Sequence, residues 1–203
     1  MSRIQALLIT AALGASVGIA NAATVTDSLL QCNPAFFHTL YQHRAVLKKV
    51  VQVESDGKRI AWVPVTDKEA RVRTFTHSVP DGKLHLSGYY EQSEDLGELG
   101  KYYYWGFVID EAPEKVMAAF PHIQWLKGDA LWTANPQIKL DIHRAWQPNP
   151  SATDGIAPAK GSVEKLVMLN EKEGKSWLSC SIQGSVERPL LLQERPDIAA
   201  GNN

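Results

Sequence analysis

Ser55-Asp56-Gly57-Lys58, Pro80-Asp81-Gly82 and Glu171-Lys172-Glu173-Gly174 each stand between two stretches of apolar and polar residues suited to strands. Glycine supplies the positive φ that a tight turn demands, and Asp and Pro favour such turns. Each motif therefore predicts an antiparallel hairpin: 50–54 with 59–65, 72–77 with 83–91, and 163–169 with 176–182. Further strands are predicted over 101–110, 122–126, 130–134 and 137–143.

The period changes where helices are expected. Asn33 can cap and Pro34 is pre-shaped for a first helical turn, so a helix is predicted over 34–48, with Phe36, Phe37, Leu40, Tyr41 and Leu47 toward a core. A second is predicted over 113–120, stopped by Pro121, and a brief third after Pro189. Residues 199–203 are expected to fray. The fold class is α+β: a single domain, mainly an antiparallel sheet built from hairpins with two or three short helices. Two successive groups of helix followed by hairpins hint at duplication, although their side chains do not align. Residues 144–162, rich in Pro, Gly, Ser and Ala, are too long for an ordinary connection and read as a lid or a surface excursion.

The first residues carry an address. Met1-Ser2-Arg3, an apolar run over 6–19 and Ala20-Asn21-Ala22 have the three parts of an export signal. Cleavage is expected after Ala22, leaving 23–203 as one periplasmic domain with no membrane insertion. The apolar run is shorter than the ~20 residues that span a bilayer. Leu29-Leu30-Gln31-Cys32 superficially resembles a lipidation signal, but Gln31 fits poorly and polar residues separate it from the apolar run. Cys32 and Cys180 are the only cysteines. In an oxidising compartment that count predicts one structural disulfide, Cys32 to Cys180, in competition with a Cys-His enzyme that would need a free thiolate.

Catalytic signatures are sparse. Gly14-Ala15-Ser16-Val17-Gly18 has the spacing of a nucleophile elbow but falls inside the export signal instead of between a strand and a helix. No phosphate-binding loop, dinucleotide glycine fingerprint or zinc helix motif is present, and no particular serine stands out. His38 and His43 are five apart, off a shared helical face. His77 with His85, and Asp141 with His143, are the pairs a hydrolase or metal-dependent enzyme could use, although neither brings a third ligand or a nucleophile. No cofactor, metal site or catalytic set is assigned.

The formal net charge of -1 excludes nucleic-acid binding driven by bulk charge. A local excess of acid is more informative. Glu91, Glu94, Asp95 and Glu98 precede the next basic residue, Lys101, and read as an acidic loop with aromatic shoulders. Alternation along the following strand sends Tyr103, Trp105, Phe107 and Ile109 to one face and Tyr102, Tyr104, Gly106 and Val108 to the other. With Tyr90, the exposed pair Tyr102 and Tyr104 would frame the acid. Charge would steer a basic protein partner and the rings would supply desolvated contact; the same features also suit an ordinary solvated loop beside a doubly buried strand.

The expected function is an exported periplasmic protein-binding module of the inhibitor or immunity type, neutralising a partner enzyme through Glu91, Glu94, Asp95, Glu98, Tyr90, Tyr102 and Tyr104. The alternative is a periplasmic hydrolase or metal-dependent enzyme using the histidine pairs. A carrier of a small apolar ligand beneath 144–162 is a third reading.

Overall fold

A computed structural model describes residues 23–65, 71–129, 131–152 and 156–201; the expected export signal lies outside them. In chain order the elements are α1 (Val25–Leu30), α2 (Ala35–Leu47), β1 (Glu54–Ser55), β2 (Ala61–Trp62), β3 (Val72–Asp81), β4 (Leu84–Asp95), β5 (Lys101–Ile109), α3 (Pro113–Ala119), β6 (Leu126–Lys127), β7 (Trp132–Lys139), β8 (Gln147–Pro148), β9 (Val163–Lys172), β10 (Lys175–Gly184), α4 (Arg188–Glu194) and α5 (Pro196–Ala200). The fold is α+β. Its main sheet runs β3-β4-β5-β10-β9-β7-β6 with β8 beside β7, and every pairing is antiparallel. Each half of the chain supplies a meander whose last strand, β5 or β10, sits at the centre.

The last two predicted hairpins are present and longer than expected. Glu173 and Gly174 both take positive φ, 57° and 74°, as the tight turn between β9 and β10 requires. The first hairpin is reduced to β1 and β2, a two-stranded clasp apart from the main sheet. Asp56 shapes its turn, its Oδ1 accepting the amides of Lys58, Arg59 and Ile60 at 2.9, 2.8 and 3.0 Å.

Several boundaries differ from expectation. β4 continues through Asp95 because its acidic end pairs with the aromatic start of β5. Glu94 and Asp95 thus join Glu91 in the strand, and the loop narrows to a single 3-10 turn, Gly97–Leu99. The strands expected on either side of Pro136 are one, β7, with a register shift between Ala134 and Gln137 and Asn135 at φ 51°; an irregularity of this kind is where a strand tolerates proline. Of 122–126, only Leu126 enters a strand. Ala199 and Ala200 are helical in α5.

α1 is absent from the elements read in the sequence. Thr24 and Asp27 form a reciprocal capping box at its start. A six-residue helix is marginal alone, and a distant residue completes it: Asp81, the last residue of β3, accepts the amides of Val25 and Thr26 at 3.0 and 2.8 Å and the Thr26 hydroxyl at 2.6 Å. The Cys32–Cys180 disulfide, with Cα atoms 5.2 Å apart, then ties the α1–α2 corner to β10.

One sheet face carries the core. Phe36 and Phe37 of α2 meet edge-on at 5.1 Å, and Phe36 meets Phe107 at 5.9 Å in the same manner. Tyr89, Trp105, Leu178, Val167 and Ala134 continue this layer across successive strands, and all five helices contribute to it. Tyr90, Tyr102, Val108 and Leu166 are buried on the opposite face and stand outside this core. The molecule therefore has a helix-covered face and a second face lined by its own side chains.

Candidate partner-binding face

Strand register arranges the second face in rows. Glu94, Tyr102, Gln183, Glu164 and Ile138 form one row across β4, β5, β10, β9 and β7; Gln92, Tyr104, Ser181 and Leu166 form the next; Tyr90, Gly106, Ser179, Met168 and Thr133 form a third. Between Trp177 and Gln183 the central strand β10 contributes only Ser179 and Ser181, while Tyr104 of β5 and Leu166 and Met168 of β9 stand beside them. This alternation leaves a groove along β10 walled by rings.

Two cavities follow the groove. One of about 320 Å³ is bordered by Tyr90, Tyr104, Met168, Trp177 and Ser179. The other, of about 290 Å³, is bordered by Tyr102, Tyr104, Glu164, Leu166 and Met168, with Leu96, Leu99 and Ile156 at its rim. Tyr104 and Met168 belong to both. Among the described residues, no side chain of α1 to α5 borders either one. Leu96, Leu99 and Ile156 are 46%, 58% and 65% exposed, an apolar cluster at the mouth of a ring-lined groove. Such clusters mark interaction surfaces more often than isolated exposed leucines do.

The site residues read from the sequence separate into three places. Tyr90, Glu94, Tyr102 and Tyr104 meet on the groove face. The Tyr90 ring packs against Trp177 at 4.8 Å, and Tyr102 lies near-parallel to Tyr104 at 6.5 Å. Tyr102 is buried and Tyr104 half-buried, so the two are groove walls instead of freely exposed rings. Burial pushes the Tyr104 phenol up to about 12, with Glu94 and Tyr102 adding to the effect; at neutral pH it is a neutral donor. Asp95 and Glu98 lie at the exposed rim, where Asp95 Oδ1 accepts the Gly97 amide at 3.0 Å. Glu94 accepts from Gln92 at 2.5 Å and faces Arg71 at 3.5 Å, a solvent-exposed pair of little strength.

Glu91 is elsewhere. Three residues before Glu94, it faces the helices, where its Oε1 accepts from Arg195 Nη2 at 2.6 Å and from the Tyr89 hydroxyl at 2.9 Å. Arg195 also grips Asp197 with two bonds, 2.9 and 2.6 Å, and lies over Trp105 and Phe37. Burial raises the Glu91 carboxyl above its ordinary range, and Arg195 opposes that rise. Glu91 acts as a brace between β4 and the C-terminal helices.

Trp177, Met168, Leu166, Gln183 and Glu164 belong to the groove but were not singled out in the sequence. Their signal is visible in β9: Val163, Lys165, Val167 and Leu169 face the helices while Glu164, Leu166 and Met168 face the groove. An apolar run without a polar side is the mark of a strand buried on both faces. The long segment over 144–162 touches both faces. Trp146 donates to Glu194 at 2.9 Å beside the buried Lys165 on the helical side, while Ile156 and Ala157 reach the groove rim.

The histidines have separate local partners. His85 Nδ1 lies 2.7 Å from Glu111, His77 Nδ1 lies 3.3 Å from the Thr76 hydroxyl, and Asp141 Oδ1 accepts the His143 amide at 2.8 Å. Among the described residues, no three His, Cys, Asp or Glu side chains converge as a metal-binding group, and no helix is long and apolar enough to cross a membrane. In comparison with known proteins, the chain matches no family model, no curated protein and no solved structure.

Proposed function

We propose that this chain is an exported, periplasmic protein-binding module that docks a basic protein partner on the groove face of its sheet. The observation that carries the reading is the coincidence of Leu96, Leu99 and Ile156, all exposed, with a groove walled by Tyr90, Tyr102, Tyr104 and Trp177. Apolar and aromatic groups that lose water on contact supply the affinity. Glu94, Asp95 and Glu98 at the same end of the sheet supply steering toward positive charge. The braced helical face opposite makes the groove a rigid platform, which limits the ordering cost of association.

The test is capture from a cell-envelope extract of the source organism with the unaltered domain and two folded variants. One carries E94K, D95K and E98K; the other carries L99S and I156S. A partner held by the unaltered domain should associate more slowly with the charge variant, more so at low salt, and dissociate faster from the apolar variant. Association and dissociation rates unchanged in both variants contradict this face. If the partner is an enzyme, its activity in the presence of the bound domain distinguishes an inhibitor from a passive binding module.

A further inference from the structure

Glu164 is a buried carboxylate on the groove face, 4% exposed. Its two oxygens accept from Asn149 Nδ2 at 2.5 Å and Gln183 Nε2 at 2.7 Å. Both donors are neutral amides. Among the described residues no ion pair reaches it: its neighbour Lys165 points through the sheet to Glu194 at 3.2 Å on the helical side. A buried charge is ordinarily paired with an opposite one. Here the carboxylate borders the 290 Å³ cavity, and each oxygen retains acceptor capacity after its amide bond is made.

The rest of that cavity has a complementary shape and chemistry. Tyr102 and Tyr104, inclined by only 23° to one another, present ring faces, and aromatic faces attract a planar cation. Leu96, Leu99, Leu166 and Ile156 offer an apolar path from solvent toward the carboxylate, suited to an aliphatic stem with a charged head. Guanidinium satisfies all three requirements better than ammonium does, because it is planar, weakly hydrated and able to donate to two oxygens at once.

We infer that the cavity above Glu164 is the anchor pocket of the groove face and receives the guanidinium of an arginine side chain from the partner. The inference rests on the partner-binding reading and gives that partner a chemistry. The arginine stem would lie against Leu99 and Ile156, its head between the tyrosines and the Glu164 carboxylate. Binding would give Glu164, whose described donors are both neutral amides, an opposite charge.

Titration of the purified protein with n-butylguanidinium and with n-butylurea, its uncharged counterpart, followed by amide chemical shifts, tests the pocket. The expected result is shifts centred on Glu164, Tyr102, Tyr104 and Leu166, with butylguanidinium binding about tenfold or more tightly than butylurea, the scale of a discriminating charged contact. Glu164→Gln should remove that preference, and Tyr104→Leu should weaken it while leaving Glu164 in place. Equal binding of the two probes, or shifts outside the groove, overturns the inference; this comparison on the unaltered protein holds even if Glu164→Gln fails to fold.

The two readings fail separately. A captured partner that needs the rim and apolar residues, with no guanidinium preference in the pocket, overturns the arginine anchor and leaves the docking face standing. A guanidinium preference in a protein that captures nothing through this face overturns the partner as the source of the cation.

Discussion

The guanidinium of Arg195 donates to the Glu91 carboxylate at 2.6 Å across 104 residues of sequence. It does so while lying over the rings of Trp105, 5.0 Å away, and Phe37, 5.4 Å away. The contact joins the C-terminal helices to β4 on the face opposite the groove. It also explains why one acidic residue of the run from Glu91 to Glu98 is unavailable to a partner.

Removing Arg195 leaves Glu91 and Asp197 with much of their charge buried and uncompensated. Arg195→Ala is expected to lower unfolding stability by about 3–5 kcal/mol, the range for breaking one partner out of a buried ion pair. Urea unfolding monitored by Trp fluorescence measures it. A loss below about 1 kcal/mol, the scale of a surface pair, would contradict the bracing role.

The Cys32–Cys180 bond closes 148 residues of chain. Opening it is expected to cost about 2–5 kcal/mol, the range for a native disulfide in a secreted domain. The check compares denaturant midpoints of the oxidised protein and the Cys32→Ser, Cys180→Ser double variant. Coincident curves would show that the bond does not constrain the unfolded chain.

Asp81 holds the start of α1 with three hydrogen bonds. Asp81→Ala is expected to destabilise the protein by about 1–2 kcal/mol, in line with loss of a helix cap and of buried amide partners. Amide hydrogen exchange over 25–30 should speed up more than exchange in β10. Uniform acceleration across the chain would mean that α1 does not open locally.

These contacts mark where the sequence is legible. The hairpins β3–β4 and β9–β10 are readable because their turns, Gly82-Lys83 after Pro80-Asp81 and Glu173-Gly174, act on their immediate neighbours. The α+β class and the cysteine pairing follow from similarly simple rules. α1 is hidden because its six residues depend on Asp81, more than fifty positions away. The acidic run resembles a loop locally, yet β4 extends through it because Trp105, Tyr103 and Tyr102 of β5 stand opposite Glu91, Ser93 and Glu94. That Tyr102 and Tyr104 share a face was legible from strand alternation, while their burial was not. Glu164 was not, because its setting comes from β5 and β10 on one side and Asn149 of the long connection on the other.

Burial raises the Glu164 carboxyl above its ordinary 4.5, while Gln183 and Asn149 oppose the rise. Tyr102 stands beside it and Glu94 lies farther along the same row. The folded chain therefore holds a proton at pH values where the unfolded chain has released it. The corresponding stability is fully present below about 4.5 and is lost as pH rises through the higher folded value. Relative to the unaltered protein, Glu164→Gln should gain in melting temperature as pH rises from 4 to 7. A difference that stays constant across that interval would show that Glu164 ionises as an exposed residue does.

The most direct measurement of the account is partner association by surface-immobilised binding, comparing the unaltered protein, the L99S and I156S groove variant, and a Val46→Lys control on exposed α2. All three should first give the same circular dichroism and intact disulfide. Partner docking on the groove face calls for at least tenfold faster dissociation from the groove variant and unchanged binding by the control. Full binding by the groove variant would contradict the account, and loss of binding by the α2 control alone would place the partner on the helical side.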